Sequence, residues 1–193
     1  MASPLKIRCS NIDHSSADPS QALKLTYNIL KLLSASPLTP TSHPYLALSR
    51  LYLSLLIASL GGSPENLNEA IRTSARCVSA LRDLLPEGHP ARGVAMAELG
   101  KLLTVDEPPS PETENDSNRG DDKSSDLTFP PSGEARLRLA HDTLRRAMVE
   151  LDIGFGSDGG EVGANVQRLA REVDKELSIW ARGLRNSQRA EGQ

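Results

Sequence analysis

The sequence predicts an all-α protein of about three stacked antiparallel helical hairpins, with a disordered acidic insert before the third. Three observations lead there. Hydrophobic residues make up 38% of the 193 residues but aromatics only 3%. That composition builds a core from Leu, Ala, Ile and Val, without the aromatic content that sheets favour. The β-branched, alternating runs of strands are missing, and apolar residues recur at spacings of three and four instead. Finally, Pro repeatedly heads such a stretch, a position where its missing N–H costs nothing.

Taken in order, residues 1–17 show no periodicity and are expected to be flexible. Asp18-Pro19 caps and opens a first helix whose stripe is Ala22, Leu23, Tyr27, Leu30 and Leu33; Pro37 and Pro40 end it. A second helix runs from about Pro44 to Leu60 and stops at Gly61-Gly62. Ser63-Pro64 opens a third, with Leu67, Ile71, Ala75, Val78, Leu81 and Leu85 as its stripe and Pro86 as its stop. Pro90 opens a fourth, with Val94, Ala97, Leu102 and Val105 inward. Residues 18–105 thus form two hairpins.

The His-Pro pairs at His43-Pro44 and His89-Pro90 are 46 residues apart and head the second and fourth helices. Superimposing them places Ala47 on Gly93, Leu48 on Val94, Leu51 on Ala97, Leu53 on Leu99, Leu56 on Leu102 and Ile57 on Leu103. A period of this size is that of a two-helix solenoid unit, which needs a stacked neighbour to cover its apolar face.

Residues 106–132 are rich in Pro, Ser, Asp and Glu and nearly free of large apolar side chains. Such a segment cannot bury enough surface to offset its ordering entropy, so a disordered loop is expected. Ser110-Pro111 within it is a candidate phosphorylation site. Residues 133–186 make the third hairpin. Its first helix, from about Gly133 to Asp152, carries Leu137, Leu144, Met148 and Leu151. Its second begins near Glu161 and presents Val162, Val166, Leu169, Val173, Leu177, Trp180 and Leu184, the clearest amphipathic stripe in the chain. Residues 187–193 read as a flexible tail.

Charge and cysteine content exclude several functions. The net charge is −3, and the acidity is concentrated in the insert: residues 106–126 hold eight Asp/Glu against two Lys/Arg. Neither flank has the basic excess of a nucleic-acid surface, so no nucleic-acid partner is expected. Two cysteines, Cys9 and Cys77, make neither a disulfide framework nor a zinc finger. The start, MASPLKIRCS, lacks a signal peptide's apolar core, and the apolar run at 46–60 is too short to cross a bilayer. A cytoplasmic or nuclear protein without membrane association is the expectation.

Each candidate chemical site has a structural reading beside it. His43 and His89 as metal ligands would need further donors, and none converges locally. As helix-entrance residues they need only a following Pro, and no metal is expected. Residues 154–159, GFGSDG, match G-x-G-x-x-G. The dinucleotide fingerprint requires a strand before it, and here a helix precedes. The segment reads as an inter-helix loop, with no cofactor. Cys77 sits beside the apolar stripe of the third helix with no His at helical spacing, so it reads as a semi-buried core residue. Trp180 reads as core. Lys24, Lys31, Arg72 and Arg76 lie outside the main stripes of the first and third helices. These helices would line the concave side of a hairpin stack, where the four cations are candidates to hold an acidic peptide.

The stretch SARCVSALRDLLPEGHPARGVAMAELGKLLTVDEP, with HPYLALSRLYLSLLIASLG before it, resembles the carboxy-terminal helical region of fungal SET- and MYND-domain lysine methyltransferases. The resemblance spans roughly residues 20–105 and continues more weakly through 133–184. It implies a tetratricopeptide-like array that packs beside a catalytic part and serves substrate access and partner binding. The SET cofactor motifs and the MYND zinc ligands have no counterpart here, so it implies no catalytic residue. The expected function is therefore a protein-interaction module, not an enzyme by itself, with an unidentified protein or peptide partner. Two alternatives are the regulatory part of a lysine methyltransferase whose catalytic part is missing from this chain, and a self-associating structural protein using the Val162–Leu184 stripe as its seam.

Overall fold

The computed structural model describes residues 19–59, 64–105, 129, 130 and 132–191. Among them are six α-helices, one short 3-10 turn and no strand, so the fold is all-α. The helices are α1 (Pro19–Ser34), α2 (His43–Ala58), α3 (Pro64–Leu84), α4 (Pro90–Leu103), α5 (Glu134–Phe155) and α6 (Gly160–Glu191). Each of α1, α3 and α4 starts at its proline, and α3 ends two residues before Pro86 because the residue preceding a proline resists helical backbone angles. None of the described helices is long and apolar enough to cross a membrane.

The expected N-terminal segment 1–17 with Asp18, most of the insert (106–128 and 131), the Gly61-Gly62 stop with Leu60 and Ser63, and the last two residues of the tail lie outside the described residues. Within the expected loop, Phe129 is half-buried and packs on the core, as does Leu139 of α5.

Packing follows chain order. Helix α1 lies on α2, α2 on α3, α3 on α4, α4 on α5 and α5 on α6, with α4 also touching α6. Two apolar clusters result. The first joins Leu53 and Leu56 of α2, Leu67 and Ile71 of α3, and Leu99, Leu102 and Leu103 of α4. The second joins Met96 and Ala97 of α4, Leu144 and Leu151 of α5, and Val166 and Val173 of α6. Helix α4 is therefore the shared wall. Leu56, Ile71, Leu103, Leu144 and Leu151 are each almost wholly buried, a burial worth about 1.5–3 kcal/mol per side chain.

Helix α4 approaches α5 closely because it has no side chain where the backbones meet. A Cβ added at Gly93 would lie 2.8 Å from Leu151 Cδ2, and one at Gly100 would lie 2.6 Å from Leu144 Cδ2. This contact also explains where the superposition of α2 on α4 fails. The inner pairs agree: Leu53 and Leu99 are buried, as are Leu56 and Leu102. The outer pairs diverge. Leu51 is 52% exposed where Ala97 is 2% exposed, and Ile57 is exposed where Leu103 is buried. On α4 that face receives α5, whereas on α2 it meets solvent among the described residues.

Three stripe residues are corrected by the same logic. Tyr27 is exposed on α1, where Thr26 takes the buried position and satisfies its hydroxyl by donating to the Ala22 carbonyl at 2.7 Å. Val105 is exposed just past the end of α4. Trp180, expected in the core, is 45% exposed, because α6 has 32 residues against the 22 of α5 and outruns its partner. The side chain of Leu184 lies outside the described ones.

Candidate interaction groove

Two adjoining hollows lie where α1, the start of α2 and α3 meet. One has a volume of about 360 Å³ and the other about 550 Å³, and both are lined by Tyr45, Ser49 and Arg76. The smaller hollow gathers all three tyrosines of the chain, Tyr27, Tyr45 and Tyr52. Lys31 closes it from α1, with Glu69, Thr73 and Arg76 on the α3 side. The larger hollow runs on under the α1–α2 connection, past Pro40 and Leu46, to Asp83.

Periodicity explains how these groups converge. Lys31 follows Tyr27 by four residues, and Arg76 follows Glu69 and Thr73 by seven and three, so each set shares one helix face. Tyr45, Ser49 and Tyr52 repeat the pattern on α2. The Tyr27 and Tyr52 rings sit 6.0 Å apart, tilted by 40°, within the range of favourable aromatic pairs. Burial pushes the Tyr52 phenol up to about 12, helped by the nearby Glu69 and Tyr27 and opposed by Arg76. It therefore keeps its proton and remains a hydrogen-bond donor at the groove floor.

The four sequence candidates divide. Lys31 and Arg76 come together in the smaller hollow; Lys24 and Arg72 do not line it. Lys24 is exposed two turns earlier on α1. Arg72 turns to Glu69, with Nη1 at 3.8 Å from Oε2, and Glu69 also accepts from the Thr73 hydroxyl at 3.4 Å. Glu69, the one carboxylate among the residues lining the smaller hollow, is thus engaged by both Arg72 and Thr73. The tyrosines were missed by sequence reasoning, which assigned Tyr27 to the core. The available signal was their scarcity, three in 193 residues, all within one hairpin.

The other candidate sites have structural explanations. His89 is the N-cap of α4, and its Nδ1 accepts from the Ala91 N–H at 3.2 Å. His43 is exposed at the start of α2, where Ser42 holds the cap position. The two His-Pro pairs therefore differ in role. The His89 turn is also fixed from a distance by Glu150 of α5. That carboxylate accepts from the Gly88 N–H at 2.6 Å and from Arg92 Nη2 at 2.5 Å, while Arg92 Nη1 donates to the Leu85 carbonyl at 3.1 Å. Gly88 has a φ of +78° and faces Ile153 with no room for a Cβ.

In the G-x-G-x-x-G segment, Gly154 belongs to the last turn of α5 and abuts the Gly88 carbonyl, and the 3-10 turn Ser157–Gly159 leads into α6. A helix precedes the glycines, so the strand-to-helix turn of a dinucleotide site is replaced by a helix-to-helix joint. Cys77 is 3% exposed, deeper than the half-buried position expected. Burial pushes its thiol up to about 11, with Glu98 adding to and Arg50 opposing the rise, which leaves it a protonated thiol beneath the larger hollow. No group of three or more His, Cys, Asp and Glu that could hold a metal occurs among the described residues.

No family model matches the sequence, and no curated protein matches it.

Proposed function

We propose that the protein is an interaction module that holds an acidic peptide segment of a partner across α1, α2 and α3. One observation carries this reading: every tyrosine of the chain and two of the four candidate cations, Lys31 and Arg76, converge on one hollow. Tyrosine supplies contact area and hydroxyls at low entropic cost, and it is enriched in interface cores. Two cations beside it select carboxylate-bearing ligands and speed their encounter. Binding, not turnover, is the proposed role.

The helices are arranged, in this proposal, as tetratricopeptide-like hairpins. The 46-residue recurrence and the shared inner positions of α2 and α4 support it. The likeness of residues 20–105 to the helical region of SET- and MYND-domain methyltransferases supports an accessory role beside a catalytic part, in the cytoplasm or nucleus. A second reading, self-association through α6, is favoured by the exposure of Ile179 at 65% and Trp180 at 45%. Sedimentation at two concentrations separates them: a Trp180-dependent dimer supports the second reading, and a monomer excludes it.

Fluorescence anisotropy with a labelled ten-residue Asp/Glu-rich peptide tests the first reading. Binding should fall at least tenfold for Arg76→Ala and for Lys31→Ala, and should weaken with salt. Equal affinity for the Lys/Arg-rich counterpart would refute it.

A further inference from the structure

Helix α1 bears a second apolar stripe that no other described element covers. Leu25, Ile29 and Leu32 follow one another by four and three residues, so they lie on one face of the helix. They are 62%, 39% and 72% exposed. The stripe that packs on the first core is a different one, formed by Leu23 and Leu30 with Thr26 buried between them. Among the described elements, the backbone of α1 runs close to that of α2 alone. Chance exposure of single leucines is ordinary, but three in register on an end helix form a seam.

The charge around this seam names its partner. Residues 19–58, the whole first hairpin, contain Lys24, Lys31 and Arg50 and not one Asp or Glu. A second copy of α1 would bring like charge to like charge, whereas a helix flanked by carboxylates would complement a hairpin whose own charges are all positive. We infer that the outer face of α1 docks an amphipathic helix of a partner protein whose apolar stripe is bordered by Asp and Glu. This surface is separate from the tyrosine groove, which lies on the Tyr27, Leu30 and Lys31 side of the same helix.

The test uses the full chain and three labelled 18-residue helical peptides that share one Leu stripe. One is flanked by Glu, one by Lys, and one has the Glu composition scrambled. The Glu-flanked peptide should bind at least tenfold more tightly than either of the others. Leu25→Ser and Leu32→Ser should each reduce that binding at least fivefold. The same two variants should bind the acidic groove peptide as the parent does, and Arg76→Ala should leave the helical peptide unaffected, so the two surfaces fail independently. Equal binding of the Glu- and Lys-flanked peptides would overturn the inference. So would a Leu32-dependent dimer in sedimentation, which would make a second copy the occupant. No peptide binding, together with a melting temperature lowered by Leu32→Ser, would mean the chain's own residues cover the stripe, and would overturn it as well.

Discussion

Replacing Glu150 by Ala should cost far more than its single position implies. The carboxylate joins α5 to the turn before α4 through two short bonds, one to the Gly88 N–H at 2.6 Å and one to Arg92 Nη2 at 2.5 Å. Its side chain is 8% exposed and that of Arg92 is 12% exposed. Removing it leaves a nearly buried guanidinium whose only remaining acceptor is the Leu85 carbonyl, with its Nε already without a partner among the described residues. It also orphans a buried backbone donor. Breaking a buried pair from one side costs about 3–5 kcal/mol, and an unsatisfied buried N–H about 1–3 kcal/mol. The two are not additive, because one water entering the gap serves both groups. A loss of about 4 kcal/mol is expected, lowering Tm by roughly 8–16 °C for a chain of this length. Glu150→Gln keeps an acceptor for Gly88 and should lose less. Replacing Arg92 and Glu150 together by Leu should recover most of the loss, since neither charge is then stranded. Urea unfolding of the four proteins measures this. A Glu150→Ala loss below about 1 kcal/mol would refute the reasoning, because it would mean the turn holds α5 without the carboxylate.

Two further predictions concern the other buried or capping groups. The Cys77 thiol, raised from 9.0 to about 11, ionises in the unfolded chain before the folded one. Stability should therefore fall as pH rises from about 9 to 11, by roughly 2–3 kcal/mol from this residue. The Tyr52 phenol, raised from 10.0 to about 12, extends the decline. Cys77→Ala should remove the part between pH 9 and 11 in alkaline denaturant titrations; an unchanged slope would place the thiol in contact with water. At the two His-Pro joints, His89→Ala should cost about 0.5–2 kcal/mol through the lost cap. His43→Ala, at an exposed position, should stay within about 0.5 kcal/mol. Equal losses would restore the equivalence of the two joints.

Local chemistry carried much of the fold into view. Proline at the first helical position sets the starts of α1, α3 and α4, and it acts within one turn, so no tertiary knowledge is needed. Apolar periodicity gave Leu67, Ile71, Leu81, Leu144, Leu151 and Val166 their buried places. What stayed hidden depends on who packs against whom. Helix α1 carries two apolar stripes, and spacing alone does not say which one meets α2; Thr26 is buried while Leu25 is not. Gly93 and Gly100 read as weak helix residues until α5 is seen pressed against them. Glu150 finds Arg92 across 58 residues of chain, a distance no local pattern spans. At the groove, the charges of Lys31 and Arg76 were legible because cations off an apolar stripe stand out. The tyrosines were not, because an aromatic at helical spacing is usually core.

The most direct test of the acidic-peptide groove is a map of backbone amide shifts during titration with the Asp/Glu-rich peptide. The largest shifts should fall on residues 27–34, 45–52 and 69–76, and they should vanish in Arg76→Ala while its unbound spectrum stays folded. Shifts centred on α5 or α6, or none at millimolar peptide, would contradict the account.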